Sequence, residues 1–558
     1  MAKPMSHKTV SHKTVPHKTV LYKTAALFAL LMAAFFFVTV PPAPAYTHKS
    51  SSVKFHEHGE GVVELARKEQ KPVFMLFSAV WCYWCKVFEK ETLTKKEVYS
   101  FLNENYISVF IDADLRRDLF SKYQVTFLPY AVFLRPDGTL LYKYGGTLDT
   151  EGFLSLIKDL KEKARTSEKI AELEEPFSYT PPAKPDAQEF AELKSLFIET
   201  AMENFDAEEM GIGYKRKHVL VAALDYLLEN GGSEKGKAIK RHVMGTLEKA
   251  VDATLDPVEG GFFRYAEMRD WRIPHYEKMV DINGPMLYLL YKADSLTPSK
   301  KLKNAAAKTK AYLSEKLFDE KTGAFLSFQV ADEEYYLLDA AGRKKAKAPE
   351  VIEKIFTDRL ALALVYLLDA LKFTKDEAFR QKVKSSVDFL AGMAQKQDRI
   401  YHLYEVKSRK WSHDGKSADY AYIYLMLSKA YSVFGDARYP AIMEKVYIDA
   451  KNLFYNAELG IFAEKAPSNV SDLEYIMEAN SVFMQGLLGA FDGFDGETKL
   501  LKRELDSAGR IIAWFQGTGV ILEERAWDDK DFLFLESYAR YLKAAQTYFA
   551  RVNRTVSP

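Results

Sequence analysis

Two cysteines are the only sulfhydryl groups in a chain of 558 residues, and they sit three apart in Trp81-Cys82-Tyr83-Trp84-Cys85. Two residues cannot build a disulfide framework. The one internal bridge open to them is local, which suits exchange with another molecule's thiols better than stapling. The apolar run Pro72 to Ser78 before the motif reads as a buried strand, and Lys86 to Asn103 after it reads as a helix. Cys82 then falls at a helix N-terminus, where free N–H groups and the dipole stabilise a thiolate. It is the expected nucleophile. Cys85, one turn on, is expected to attack the mixed disulfide and release the partner. Trp81, Tyr83 and Trp84 are placed to face the substrate. A C-x-x-C can also be half of a zinc site, with His56 and His58 as the other ligands. The step from strand to helix favours thiol exchange, with protein thiols or disulfides as partners and neither metal nor cofactor implied.

A second set of chemistry-bearing residues lies further along. His275, Glu277 and Asp281 fall near the start of one expected helix, with Arg264, Tyr265 and Arg269 in the loop before it. On a helix, positions 277 and 281 share a face. Carboxylates at such a place can act as acid and base on a glycoside or sugar carbonyl. Equally, Glu277 and Asp281 can pair with Arg264 or Arg272 and simply hold the loop. Asp358 and Asp419 allow the same two readings.

The elements that carry these residues fall into two groups. Residues 46–165 alternate strand and helix signals, with strands at Ile107 to Asp112 and Tyr130 to Leu134. A turn at Arg135 to Gly138 leads to a hairpin partner at Leu140 to Tyr144, and a last helix covers about 149–165. Residues 166–186 are charged and then proline-rich, a linker. From 187 to 550 strand signals nearly vanish, and apolar residues recur at helical spacing in twelve stretches. These are 187–205, 215–229, 235–254, 276–293, 301–317, 353–371, 376–395, 416–434, 438–454, 475–491, 496–514 and 531–549. A loop motif repeats between them: Leu255 to Phe262, Leu317 to Phe325, Phe454 to Phe462, and more loosely Asp206 to Tyr214. Each turns at an Asp or Asn and uses a Gly where positive φ is expected. Twelve helices in repeated hairpins predict an (α/α)6 toroid, with an open solenoid as the alternative. Residues 551–558 are left as a tail.

Net charge is +1, spread along the chain, which gives no reason to expect a nucleic-acid partner. Apolar content of 48% is enough for large cores, and the 14% of aromatic residues suits helix interfaces and sugar clefts alike. The first 45 residues read as an address. No acid precedes Glu57; Lys3, Lys8, Lys13, Lys18 and Lys23 lead into an apolar run from Ala25 to Val40, and then comes Ala43-Pro44-Ala45, which has the form of a cleavage site. This is a secretory signal peptide. Left uncleaved, the same run would anchor the chain to a membrane, with the remainder on the periplasmic face.

The first group resembles the thioredoxin fold, carried by Trp81, the C-x-x-C and Thr126-Phe127-Leu128-Pro129. The resemblance implies that Pro129 is a substrate-facing cis-proline. It also marks a departure. Thioredoxin proper has a buried aspartate six residues before its first cysteine, where this chain has Leu76, so a carboxylate must come from elsewhere or be absent. Tyr83-Trp84 also replaces the usual Gly-Pro. The twelve helices resemble the six-hairpin glycosidase and epimerase architecture. The whole chain resembles the spermatogenesis-associated protein 20 family, which joins the two folds, and its export signal would make it a bacterial exported member. The motifs are Cys82 to Cys85, Gly260 to Tyr265, Trp271 to Met279, Phe356-Thr357-Asp358 and Ala418 to Ala421. The relatives continue Thr-Asp with Trp-Asn-Gly where this chain has Arg359-Leu360-Ala361, which implies a sugar pocket that is altered or lost. The implied fold class is multidomain: an α/β thioredoxin-like domain followed by an all-α (α/α)6 six-hairpin toroid that binds a carbohydrate or a partner.

Overall fold

The computed structural model describes residues 52–57, 61–123, 125, 128–165, 184–464, 470–489, 498–517 and 532–556. The expected signal segment, most of the expected linker and His58 lie outside these residues. Residues 50–558 form one compact unit. No helix among the described residues is long and apolar enough to cross a membrane.

Five strands make the first sheet: β1 (Phe55–Glu57), β2 (Val73–Ser78), β3 (Ile107–Asp112), β4 (Tyr130–Leu134) and β5 (Leu140–Gly145). Their order is β1-β3-β2-β4-β5, with β1, β3 and β2 parallel and β4 and β5 antiparallel. Helices α1 (Gly61–Glu69), α2 (Tyr83–Phe88), α3 (Lys96–Asn105), α4 (Arg117–Tyr123) and α5 (Thr150–Lys163) pack around it. This is a thioredoxin-like α/β unit. Every side chain of β2 and β4 is buried, because helices cover both faces of the central strands. The helix expected over 86–103 is two pieces joined by a wide turn at Glu89–Leu93, and it starts earlier, at Tyr83.

The twelve expected helices are all present. They are α6 (Ala187–Glu203), α7 (Val221–Asn230), α8 (Gly232–Ala253), α9 (Val280–Leu296), α10 (Lys300–Tyr312) and α11 (Thr357–Ala370). They continue as α12 (Glu377–Lys396), α13 (Ser417–Phe434), α14 (Arg438–Phe454), α15 (Val470–Gly489), α16 (Thr498–Gly517) and α17 (Phe532–Val556). Helix α17 runs through residues expected as a tail.

Alternate helices form two concentric rings. α7, α9, α11, α13, α15 and α17 contact one another in sequence, and α17 closes back on α7. The other six pack outside, so the closed toroid is formed and the open solenoid is not. The sequence explains which helix goes where. Residues 417–428 of α13 are buried without a break, as an apolar-all-round helix requires. In α12 the buried positions Phe379, Val383, Ser386, Val387, Leu390 and Ala394 form one stripe, which suits an outer helix. Closure is held by long-range bonds: Glu536 of α17 accepts from the Ala222 amide at 2.9 Å, and Lys543 donates to Asp225 at 2.7 Å.

The repeated loops each join an outer helix to the next inner one, so α7, α9, α11 and α15 start at one end of the ring. Asp206, Asp256, Asp319 and Asn456 each accept from amides two or three residues on. Gly260 and Gly261 turn at φ 75° and 77°, a region only glycine enters without strain. That same end carries short strands the sequence did not disclose. Residues Lys278–Met279 pair with Phe328–Gln329, and Lys354–Phe356, Tyr401–Glu405 and Lys410–Asp414 form a three-stranded sheet.

Candidate functional site at the junction of the two folds

The motif is built as its spacing implied. Strand β2 ends at Ser78, the chain turns through Ala79 to Trp81, and Cys82 becomes the N-cap of α2. The Cys85 amide donates to Cys82 Sγ at 3.2 Å, so helix-end donors face that sulfur. The two cysteines are joined as a disulfide with Cα atoms 5.3 Å apart. The Leu128–Pro129 bond is cis and Pro129 is buried. His56, offered as a zinc ligand, lies on β1 opposite Val109.

Leu76 is packed in the sheet core, and two carboxyls stand elsewhere around the motif. Glu89 lies one turn beyond Cys85, its amide donating to the Cys85 carbonyl, and its side chain accepts from Ser78 Oγ at 3.4 Å. Burial pushes the Glu89 carboxyl up to about 7, against the Ser78 hydroxyl, which lowers it. Asp112, at the end of β3 beside Ser78, is also pushed up to about 7, by burial and by the Asp114 carboxylate. A carboxyl tuned near neutrality suits proton transfer.

The motif is not open to solvent on all sides. Cys82 is 3% exposed and Cys85 1% exposed. They share one apolar cluster with Ala79, Trp81 and Ala113, and also with Met279, Phe328, Phe356 and Leu403 from the mouth of the ring. Tyr83 is half-buried, and Trp84 is 41% exposed at the edge of the motif.

A polar network crosses the same junction through Asp114. Its carboxylate accepts from Trp81 Nε1 at 2.7 Å and from Arg359 at 2.5 Å, and its carbonyl meets His402 Nε2 at 2.9 Å. Arg359 also donates to Asp281 at 2.7 Å. His402 Nδ1 lies 2.9 Å from Asp419, which accepts from the Lys416 amide as well. His402 is thus held at both ring nitrogens, between the Asp114 carbonyl and the Asp419 carboxylate. Asp358 begins α11 beside them, and Asp358, His402 and Asp419 bring three ligand-type atoms within 4.8 Å of one another. To ligate a metal there, His402 would give up its contact to Asp114 or to Asp419.

The second-domain residues therefore converge at one end of the ring, but in two groups. Asp281, Asp358 and Asp419 belong to the network around Arg359 and His402, which the sequence reading missed. His275 and Glu277 form the other group. Helix α9 starts only at Val280, because residues 278 and 279 are drawn into strand pairing. Glu277 and Asp281 therefore do not share a helical face. His275 stacks on Tyr265 at 4.1 Å and meets Glu267 at 3.2 Å. Glu277 is buried, its Oε2 atom has no hydrogen-bond partner, and His275 Nδ1 is 3.9 Å away. The pairing weighed for the arginines is not formed. Arg264 sits over the Trp81 ring at 4.5 Å, Arg272 pairs with Asp270, and Arg269 with Asp206. Lys278, in the most specific of the family strings, is structural: it is buried against Asp256 at 2.6 Å and the Gly260 carbonyl at 2.8 Å.

Residues 44–175 match the Thioredox_DsbH family, described as a protein of unknown function, DUF255. The rat spermatogenesis-associated protein 20 is 25% identical over 342 residues, covering 52% of this chain and 42% of that protein. The human protein of that name is 24% identical over 321 residues, covering 51% of this chain and 40% of that protein. The matched stretch is thus under half the length of these relatives. Among solved structures, a cellobiose 2-epimerase from Bacillus thermoamylovorans aligns with 64% of this chain and 98% of its own, at 11% identity and a TM-score of 0.49. A DsbH oxidoreductase aligns with 22% of this chain and 92% of its own, at 20% identity and a TM-score of 0.18. The chain carries a Thioredox_DsbH domain ahead of a six-hairpin ring and is similar to spermatogenesis-associated protein 20.

Proposed function

We propose that the chain is an exported thiol–disulfide oxidoreductase acting outside the cytoplasm. The observation that carries this reading is Cys82 as the N-cap of α2 with the Cys85 amide on its sulfur. That setting stabilises a thiolate at Cys82 when the pair is reduced. Cys85, one turn in, resolves the mixed disulfide, and Glu89 takes its proton. The basic, then apolar N-terminal segment supports the export part of the reading. Cys85→Ser should accumulate a mixed disulfide at Cys82, seen as added intact mass that reductant removes. If Cys85→Ser gains no reducible mass from any thiol or disulfide offered, the reading fails.

A second reading, a carbohydrate site in the ring with the thioredoxin-like unit as its platform, is favoured by one observation. Glu277 Oε2 and Asp281 Oδ1 are buried without hydrogen-bond partners, and a hydroxyl-rich ligand supplies donors for such atoms. Its test is a thermal-shift screen of sugars on wild type and Glu277→Gln. A shift in wild type that Glu277→Gln abolishes supports it, and no shift with any sugar removes it.

A further inference from the structure

The reactive sulfurs face the ring, and this sets which partners can reach them. One side of the motif is walled by Met279, Phe328, Phe356 and Leu403, with Phe328 and Phe356 stacked at 5.7 Å. Two polar bridges hold that wall in place. Arg359 spans from Asp281 on α9 to Asp114 on the loop after β3, and His402 spans from Asp419 on α13 to the Asp114 carbonyl. Trp81 is 3% exposed, bonded to Asp114 and covered by Arg264. A folded partner needs a surface of hundreds of square ångströms around an attacking sulfur. Here that surface is occupied by the chain's own second fold. Of the motif's own side chains, Trp84 is the most exposed, at 41%.

Building on the thiol-exchange reading, we propose that the ring restricts the Cys82–Cys85 pair to small thiols and disulfides. Arg359 and Phe356 are the residues that keep folded proteins away. In the reductive direction a small thiolate RS⁻ attacks Cys82 Sγ and forms the RS–Sγ bond. The Cys82–Cys85 bond breaks, and its electron pair leaves on Cys85, which takes a proton. A second RS⁻ attacks the RS sulfur, forming RS–SR and releasing Cys82 as thiolate. Two small thiols are oxidised to one disulfide, and the protein disulfide is reduced to a dithiol.

The test uses the full oxidised chain with two reductants, glutathione and reduced thioredoxin, a folded dithiol protein. Arg359→Ala removes a bridge, and Phe356→Ala, in a separate protein, thins the wall without touching a charge. Circular dichroism melting confirms that each is folded. The expected result is a ratio of thioredoxin rate to glutathione rate raised at least tenfold over wild type in at least one folded variant. The inference is overturned if that ratio stays within tenfold of wild type in both variants. If neither reductant yields the dithiol in any of the three proteins, the thiol-exchange reading itself falls.

Discussion

Glu89 and Asp112 hold their protons more tightly than ordinary carboxyls, and both are pushed up to about 7. An acid whose folded value is raised contributes stability that is complete below its unfolded value, about 4, and lost as pH rises through about 7. Glu89→Gln should therefore melt higher than wild type at pH 8 and equal to it at pH 4. If Glu89 takes the Cys85 proton, the rate of mixed-disulfide resolution should have a midpoint near pH 7. Glu89→Gln should flatten that profile and slow resolution roughly a hundredfold; stopped-flow traces across pH 5–9 check this. Leu76 made a missing carboxylate legible, but its replacement was not. Glu89 is an unremarkable helix residue until β2 brings Ser78 onto it at 3.4 Å. Arg359 stood in the sequence as a departure from the family string, and its partners Asp114 and Asp281 are 245 and 78 residues away.

At the scale of elements, the repeated loops share more than a turn. Asn283 bonds the amide and carbonyl of Phe262 and the Met279 carbonyl, and Asn480 bonds the amide and carbonyl of Phe462 and the Ile476 carbonyl. Lys217 with Asp206 and Lys278 with Asp256 form two fully buried pairs of the same kind. Lys278→Met leaves Asp256 buried with Arg343 as its remaining cation and should cost about 3–5 kcal/mol in chemical denaturation. Gly260→Ala should also destabilise, since a Cβ there would lie 2.4 Å from the Lys308 carbonyl oxygen. The twelve helices were readable because burial on one side or all round writes a period into the chain. The hairpin at 401–414 was not: Lys407 to Lys410 is polar, and the strands carry charged ends. Strand β1 is three residues long, too short to leave a pattern, and Glu277 was misplaced because pairing at 278–279 overrides helical spacing.

At the scale of the molecule, the two folds share an apolar cluster and a charged network, and residues 50–558 are one compact unit. Calorimetry should show the thioredoxin-like unit and the ring unfolding in one transition, with equal van't Hoff and calorimetric enthalpies. Arg359→Ala should split it into two. Two resolved transitions in wild type would show the folds to be independent. The ring's closure has a further consequence. Its first inner helix is capped by Glu536 and tied to Lys543, so it cannot shut until those residues have been made. The thioredoxin-like unit comes first in the chain, and domains fold as they emerge, at about 5–20 residues per second. For a time on the order of tens of seconds, Cys82 and Cys85 stand uncovered on a nascent chain, open to any oxidant, large or small. Under the thiol-exchange proposal, the first oxidation of the pair and each later exchange would then meet different rules of access.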